Sequence, residues 1–267
     1  TNTVKVFRKT LIVSLFLHGF FSMTFGQTDL WNGFGALPDS IPVVFARGII
    51  STQCHEHSAP AFSTDGNEVY WSRWERAGND KPQVVMRMVK TNEKWENPEI
   101  APFSGEVVDG GPVISADGKK LFIYREEPGQ EYKIICFTKS GNGWINPQPI
   151  IPGFSFSVSK NGNLYYGYKE KIYKLEFKNN KYGNPTPLNE KINLAGYLNW
   201  TPFVAPDESY LIFSRCDNNG DYGNLMICFW SDTKNDWLAP VDMGAPINSW
   251  RQERFPYVSS DGKYLFF

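Results

Sequence analysis

Five short boxes, recurring at near-regular intervals, constrain this chain more than any other feature. They read "FSTDG" at 62–66, "ISADG" at 114–118, "VSKNG" at 158–162, "VAPDE" at 204–208 and "VSSDG" at 258–262. Their turn residues, Asp65, Asp117, Asn161, Asp207 and Asp261, are spaced 52, 44, 46 and 54 residues apart. A period near fifty built on Asp-Gly turns predicts the blades of a β-propeller, because Asp-Gly supplies the positive φ that a tight hairpin needs. Four copies also carry a proline three residues before the Ser (or Ala) position: Pro60, Pro112, Pro202 and Pro256.

Within each repeat a short apolar strand runs into the turn. An aromatic-rich second strand follows ("NEVYWSR", "KKLFIYR", "NLYYGYK", "SYLIFSR", "KYLFF"), and then a third ("VVMRMV", "KIICFT", "KIYKLEF", "LMICFW"). The repeat closes on an aromatic, two residues and Pro, as in Trp95 with Pro98 and Trp144 with Pro147. Proline there suits an outer edge strand, where a missing N–H is tolerated. Residues 41–51 read as a fourth strand with no first three before it, and the last box supplies two strands before the sequence ends. The expected fold is an all-β propeller of four-stranded antiparallel blades, five repeats visible and five or six blades in all. The N-terminal strand closes its ring.

The propeller spans 40–267. Residues 1–26 read as a signal peptide and 27–39 as a linker: Lys5, Arg8 and Lys9 precede an apolar run from Leu11 to Phe21, and Thr24 and Gly26 are small residues before an expected cut at Gln27. The apolar run is short for a membrane span, so no span is expected once the leader is removed. Export implies a periplasmic or secreted protein, which is expected to be a monomer. It also permits disulfides, yet the hairpin register keeps Cys216 and Cys228 apart, and Cys54, Cys136, Cys216 and Cys228 are expected as thiols. A net charge of -1 argues against nucleic-acid binding, which needs a basic excess.

Blades reading P-x-x-S-x-D-G-x-x-L-x-F with W-x-x-P on the outer strand resemble the TolB-type, WD40-like propeller repeats of exported bacterial proteins. "PYVSSDGKYLFF" and "PVISADGKKLFIY" are the nearest copies, while Asp207-Glu208 and the third repeat, which lacks Pro, depart from the pattern. The resemblance implies export and binding or scaffolding at the cell envelope, without fixing a ligand.

Two sets of positions point to a site. Counting back six residues from the Ser position aligns His57, Asp109, Asn199 and Glu253 in the loops that lead into the innermost strands, at the mouth of the central channel. Eight residues after each turn residue stand Arg73, Arg125, Lys169 and Arg215, at the same end of the blades. Trp74 and Trp200 lie beside them as stacking candidates. A basic ring suits an oxyanion-bearing partner, an envelope protein or an acidic glycan. The competing reading is that each Arg pairs with a lead-in acid and locks the blades.

His55 and His57, side by side on an extended strand, are the metal alternative, without standard zinc spacing. No cofactor is implied. The function expected is an exported protein- or carbohydrate-binding module. The alternative is a hydrolase or lyase acting on acidic sugars through Glu56, Asp109 and Glu253, which requires carboxylates free of the basic ring.

Overall fold

The computed structural model describes residues 5–8, 34, 38–75, 81–217 and 222–267. These form five small antiparallel blades. The first is Ala61–Phe62, Glu68–Arg73 and Val84–Thr91, edged by Lys94–Trp95 and Glu99–Ile100. The second is Val108–Ile114, Lys120–Glu126, Lys133–Ser140 and Gly143–Pro152. The third is Ser155–Val158, Leu164–Tyr168, Lys171–Leu175 and Thr186–Pro187. The fourth is Tyr197–Val204, Tyr210–Asp217 and Gly223–Ser231, edged by Asp236–Trp237 and Val241–Asp242.

The fifth blade settles the blade number and shows how the ring closes. Its inner strands Tyr257–Val258 and Tyr264–Phe266 continue into Lys5–Arg8, and Val43–Val44 lies outermost. The outer strand is where the sequence placed it. The third is not. Lys5–Arg8 occupies that position, paired through Val6 with Phe266 and Val43, in a segment whose composition reads as the start of a leader. The rest of that leader, its cut site and most of the linker lie outside the described residues. Among the described residues no helix is long and apolar enough to cross a membrane.

The repeated box has a concrete job in the backbone. Ser63 Oγ donates to Asp65 Oδ1 at 2.6 Å and accepts the Glu68 N–H at 2.8 Å, so one hydroxyl ties the turn to the next strand. Ser115 with Asp117 and Lys120, and Ser259 with Asp261 and Tyr264, repeat the arrangement. The following position takes positive φ in every copy, Gly66, Gly118, Gly162 and Gly262 among them, where glycine avoids a Cβ clash. The fourth copy puts Glu208 there, at φ 61. Its side chain reaches into the neighbouring blade, accepting from Asn163 Nδ2 (2.5 Å), Tyr165 Oη (2.6 Å) and Lys174 Nζ (2.8 Å). The turn that departs from the pattern is therefore also a clasp.

Period-two alternation on the second strands fills both sides of each blade. Tyr70 faces the joint with the second blade, beside Leu121, Ile123 and Phe137. Trp71 faces the joint with the fifth, beside Val6, Phe45 and Phe266. The other three joints are built alike, around Phe122 and Tyr166, Tyr165 and Phe213, and Ile212 and Leu265. Each fully buried large side chain contributes about 1.5–3 kcal/mol, so the apolar joints dominate the ring's stability. Outer-strand tryptophans lock across the joints: Trp144 Nε1 donates to Tyr70 Oη at 3.0 Å, and Trp237 packs edge-on against Tyr165.

Candidate functional site

The lead-in loops and the ends of the second strands share one face, as their pairing requires. Asp109 is opposite Arg125 and Asn199 opposite Arg215. Arg125 Nε donates to Asp109 Oδ1 at 2.7 Å and its Nη2 to Oδ2 at 3.1 Å, while Nη2 also caps the Phe103 carbonyl at 2.8 Å. Arg215 Nε donates to Asn199 Oδ1 at 2.9 Å, and its Nη2 to the carbonyls of Lys191 and Ile192. Both arginines thus tie the lead-in loop to the second strand of their own blade. Burial raises the Asp109 carboxyl above its ordinary value with Arg125 pulling against it, and Asp109 in turn holds the Arg125 guanidinium more firmly protonated.

In the other blades the structure corrects the sequence alignment. His55 pairs with Trp74, which places Glu56, not His57, opposite Arg73. The lead-in of the first blade is one residue longer than that of the second: seven residues separate Glu56 from Ser63, and six separate Asp109 from Ser115. The third blade has a shorter turn. Ser159 N–H bonds the Asn163 carbonyl, four residues on, where Ser115 N–H bonds that of Lys120, five residues on. With Ser155 opposite Gly167, Phe154 and Tyr168 occupy the two site positions, and Lys169 does not. Lys169 is an exposed turn residue at φ 43 whose ammonium lies 5.1 Å from the Tyr168 ring centre. The basic ring therefore has three members at equivalent positions.

Glu56 and Glu253 are the same device in two blades. Thr52 Oγ1 and N–H both donate to Glu56 Oε1, at 2.8 and 3.2 Å. Ser249 Oγ donates to Glu253 Oε1 at 2.5 Å and its N–H to Oε2 at 3.2 Å. Each carboxylate closes its own loop. Both are buried, at 4% and 3% exposed, but the Glu56 Oε2 has no partner and burial raises the Glu56 carboxyl above the ordinary value.

Aromatic rings line the mouth. His55, His57 and Trp74 form a cluster with ring centres 5.6–5.9 Å apart. His57 Nδ1 is 2.8 Å from Gln83 Oε1, and the Gln83 amide donates to the Asp109 carbonyl and to Tyr124 Oη, bridging the first and second blades. Further round, Tyr132 packs on Phe154, Phe154 on Trp200, and the Arg254 guanidinium lies 4.6 Å from the Trp200 ring centre. Both histidines pack against Trp74, and among the described residues no three His, Cys, Asp or Glu come together as a metal cluster.

Below the mouth, the inner strands of all five blades surround a central cavity of about 150 Å³. Its walls are mainly apolar, with Pro60, Pro112, Phe154, Phe203, Pro256 and Tyr257 prominent. Two of its wall residues, Thr201 and Phe255, precede prolines and hold φ 45 and φ 53, a conformation that β-branched and bulky residues rarely adopt. The Thr201 hydroxyl is buried and has no partner.

No family model and no curated protein matches this chain. Among solved structures, TolB from Acinetobacter baumannii superposes with a TM-score of 0.56 at 15% identity, over 83% of this chain and 49% of that one. A protein described as TolB from Agrobacterium tumefaciens gives 0.53 at 14% identity, over 97% and 74%. The fold is that of a TolB-like β-propeller. The periplasmic gluconolactonase of Pseudomonas aeruginosa shares it at a TM-score of 0.50 and 13% identity, over 80% and 65% of the two chains. The chain spans about half the length of the Acinetobacter TolB.

In this TolB-like propeller several mouth residues escaped the sequence reading. The Thr52–Glu56 and Ser249–Glu253 pairs were visible as a local match, T-x-C-x-E-H against S-x-R-x-E-R, which would also have aligned His57 with Arg254. Phe154 was hidden by the shortened turn. Gln83 has no counterpart at the start of the other third strands, so no periodicity announces it. The four cysteines are free. Cys216 faces Gly223 and Cys228 faces Leu211, a register that keeps the two thiols apart.

Proposed function

We propose that this chain is an exported binding or scaffolding module of the bacterial cell envelope that holds an envelope protein or an acidic glycan at its lead-in face. The supporting observation is how the chemistry of that face is divided. Its buried polar groups are largely committed to one another, Asp109 to Arg125 and Glu253 to Ser249, while its rings stand at the surface. Among the described residues, five of the eleven exposed large apolar side chains, Tyr132, Leu194, Tyr197, Tyr222 and Trp250, lie at this end, and exposed apolar side chains grouped on one face mark an interaction surface. A periplasmic setting fits the leader-like start of the sequence and a fold shared with TolB and with a periplasmic gluconolactonase.

One observation favours the alternative of a sugar-cleaving enzyme: Glu56 is a buried carboxyl with a raised pKa and one partnerless oxygen, suited to carrying a proton. A glycosidase needs a second carboxylate, and Asp109 is held by Arg125. The test is to pass acidic oligosaccharides and purified envelope proteins over the immobilised chain, and to analyse the oligosaccharides for new reducing or unsaturated ends. Saturable binding without cleavage is expected, at least tenfold weaker in Trp74→Ala and unchanged in Lys119→Ala on the opposite face. Cleavage that disappears in Glu56→Gln would establish the enzyme instead.

A further inference from the structure

Two guanidiniums in the lead-in loop of the fifth blade, Arg251 and Arg254, have no carboxylate partner among the described residues; Arg251 is exposed over Trp250, whereas Arg254 is half-buried. Arg125 and Arg215 each hold a lead-in side chain and a neighbouring carbonyl, and Arg73 lies 3.9 Å from Glu75. Arg254 is stacked on Trp200, so its orientation is set while its N–H groups remain available. Burial lowers its pKa from the ordinary arginine value, a cost that an adjacent anion relieves.

The same group is not itself a wall of the cavity but is one ring removed from it, through Trp200 and Phe154. Phe255, the next residue, is a wall of it, and so is Thr201, which follows Trp200. Phe154 both lines the cavity and packs against Trp200. A cavity of about 150 Å³ with apolar walls matches the size that accepts a benzene-sized group in other proteins.

We propose that the channel mouth is a subsite for a carboxylate carrying a ring-sized apolar group, with the carboxylate on Arg254 and the apolar group in the central cavity. Two sources share this chemistry: a free aryl or branched aliphatic acid, and the C-terminal residue of a peptide. The proposal deepens the reading of the lead-in face as a binding face and rests on it.

Calorimetric titration with 3-phenylpropanoate is the test, run beside 3-phenylpropanamide, 3-(2-naphthyl)propanoate, and Gly-Gly-Phe with a free or amidated C-terminus. The acid should bind at least tenfold more tightly than its amide, and the naphthyl acid should bind more weakly than the phenyl acid because it exceeds the cavity. In Arg254→Met, which keeps an apolar side chain over Trp200, the difference between acid and amide should vanish. The free-carboxylate peptide binding more tightly than 3-phenylpropanoate assigns the subsite to a chain terminus; the small acid binding alone assigns it to a metabolite. Equal affinity for acid and amide overturns the proposal, as does an unchanged preference in Arg254→Met. The ligand series needs no variant to fold. Capture of an envelope protein or glycan that 3-phenylpropanoate does not displace and Arg254→Met does not weaken would defeat this subsite while leaving the binding face intact. Binding of the acid with no macromolecular partner would do the reverse.

Discussion

The Glu208 carboxylate accepts a hydrogen bond from the Tyr165 hydroxyl at 2.6 Å across the joint between the third and fourth blades. It does so from a turn position where glycine is otherwise found, at φ 61. A side chain in that backbone region costs about 1–2 kcal/mol, and hydrogen bonds to a charged group return about 1.5–3 kcal/mol each when well desolvated. Glu208→Gly therefore removes strain and clasp together. The expected net loss is about 2 kcal/mol, read from urea unfolding, with Tyr165→Phe losing about 1 kcal/mol. A more stable Glu208→Gly would show that the backbone term wins.

The same carboxylate sets a pH dependence. Burial pushes Glu208 up, but Lys174, Tyr165 and Asn163 together outweigh it and hold the folded value below the ordinary 4.5. The unfolded chain therefore binds the proton more readily. The stabilisation is complete above about pH 4.5 and is lost as pH falls through the folded value. Wild type and Glu208→Gln should differ in urea midpoint at pH 6 and converge at the acid end. A constant difference across that range would contradict the ionised clasp.

His57 moves the other way. Burial, with His55 and Arg254 nearby, lowers it from 6.5 against the opposing Gln83 hydrogen bond. Neutral imidazole is favoured in the fold, so stability should fall as pH drops below 6.5. In a proton NMR titration the His57 ring should titrate below that value, and His57→Gln should flatten the acid limb. Titration at or above 6.5 would show that the Trp74 cluster is open to water.

Removal of residues 1–26, whether by a leader cut or by truncation, takes Lys5–Arg8 out of the fifth blade. The strand Tyr264–Phe266 then loses its partner on that side, leaving an unpaired edge. Hydrogen exchange at Phe267, whose N–H bonds the Lys5 carbonyl, should be much faster in the 27–267 chain than in the full chain. Equal protection would mean that another strand fills the position. N-terminal sequencing of exported protein tests the expected cut at Gln27 separately.

The blades were legible because their signal is local and repeated. Ser63, Asp65 and Gly66 specify a turn by chemistry that neighbouring residues complete, and the alternation around Tyr70 and Trp71 specifies two packing faces. The mouth was only half legible. A single extra residue before Ser63 and a single missing one after Asn161 slide the repeat register, so counting from the turn misplaced His57 and Lys169 while placing Asp109, Asn199, Arg125 and Arg215 correctly. Arg254 and Gln83 act through contacts between blades, which no periodicity within one blade encodes. Lys5–Arg8 was obscured by its composition, which suits a leader as well as a strand.

Labour is divided at the mouth: Arg125 holds the fold, and Arg254 is left for a ligand. Urea unfolding of Arg125→Ala and Arg254→Ala, measured side by side without any ligand, tests this division most directly. Breaking a buried pair costs about 3–5 kcal/mol, reduced here because the Arg125 side chain is 21% exposed, so a loss of about 2–3 kcal/mol is expected. Arg254→Ala gives up only its stacking on Trp200 and should cost under about 1 kcal/mol. A loss for Arg254→Ala as large as that for Arg125→Ala, or an Arg125→Ala as stable as wild type, would contradict the account.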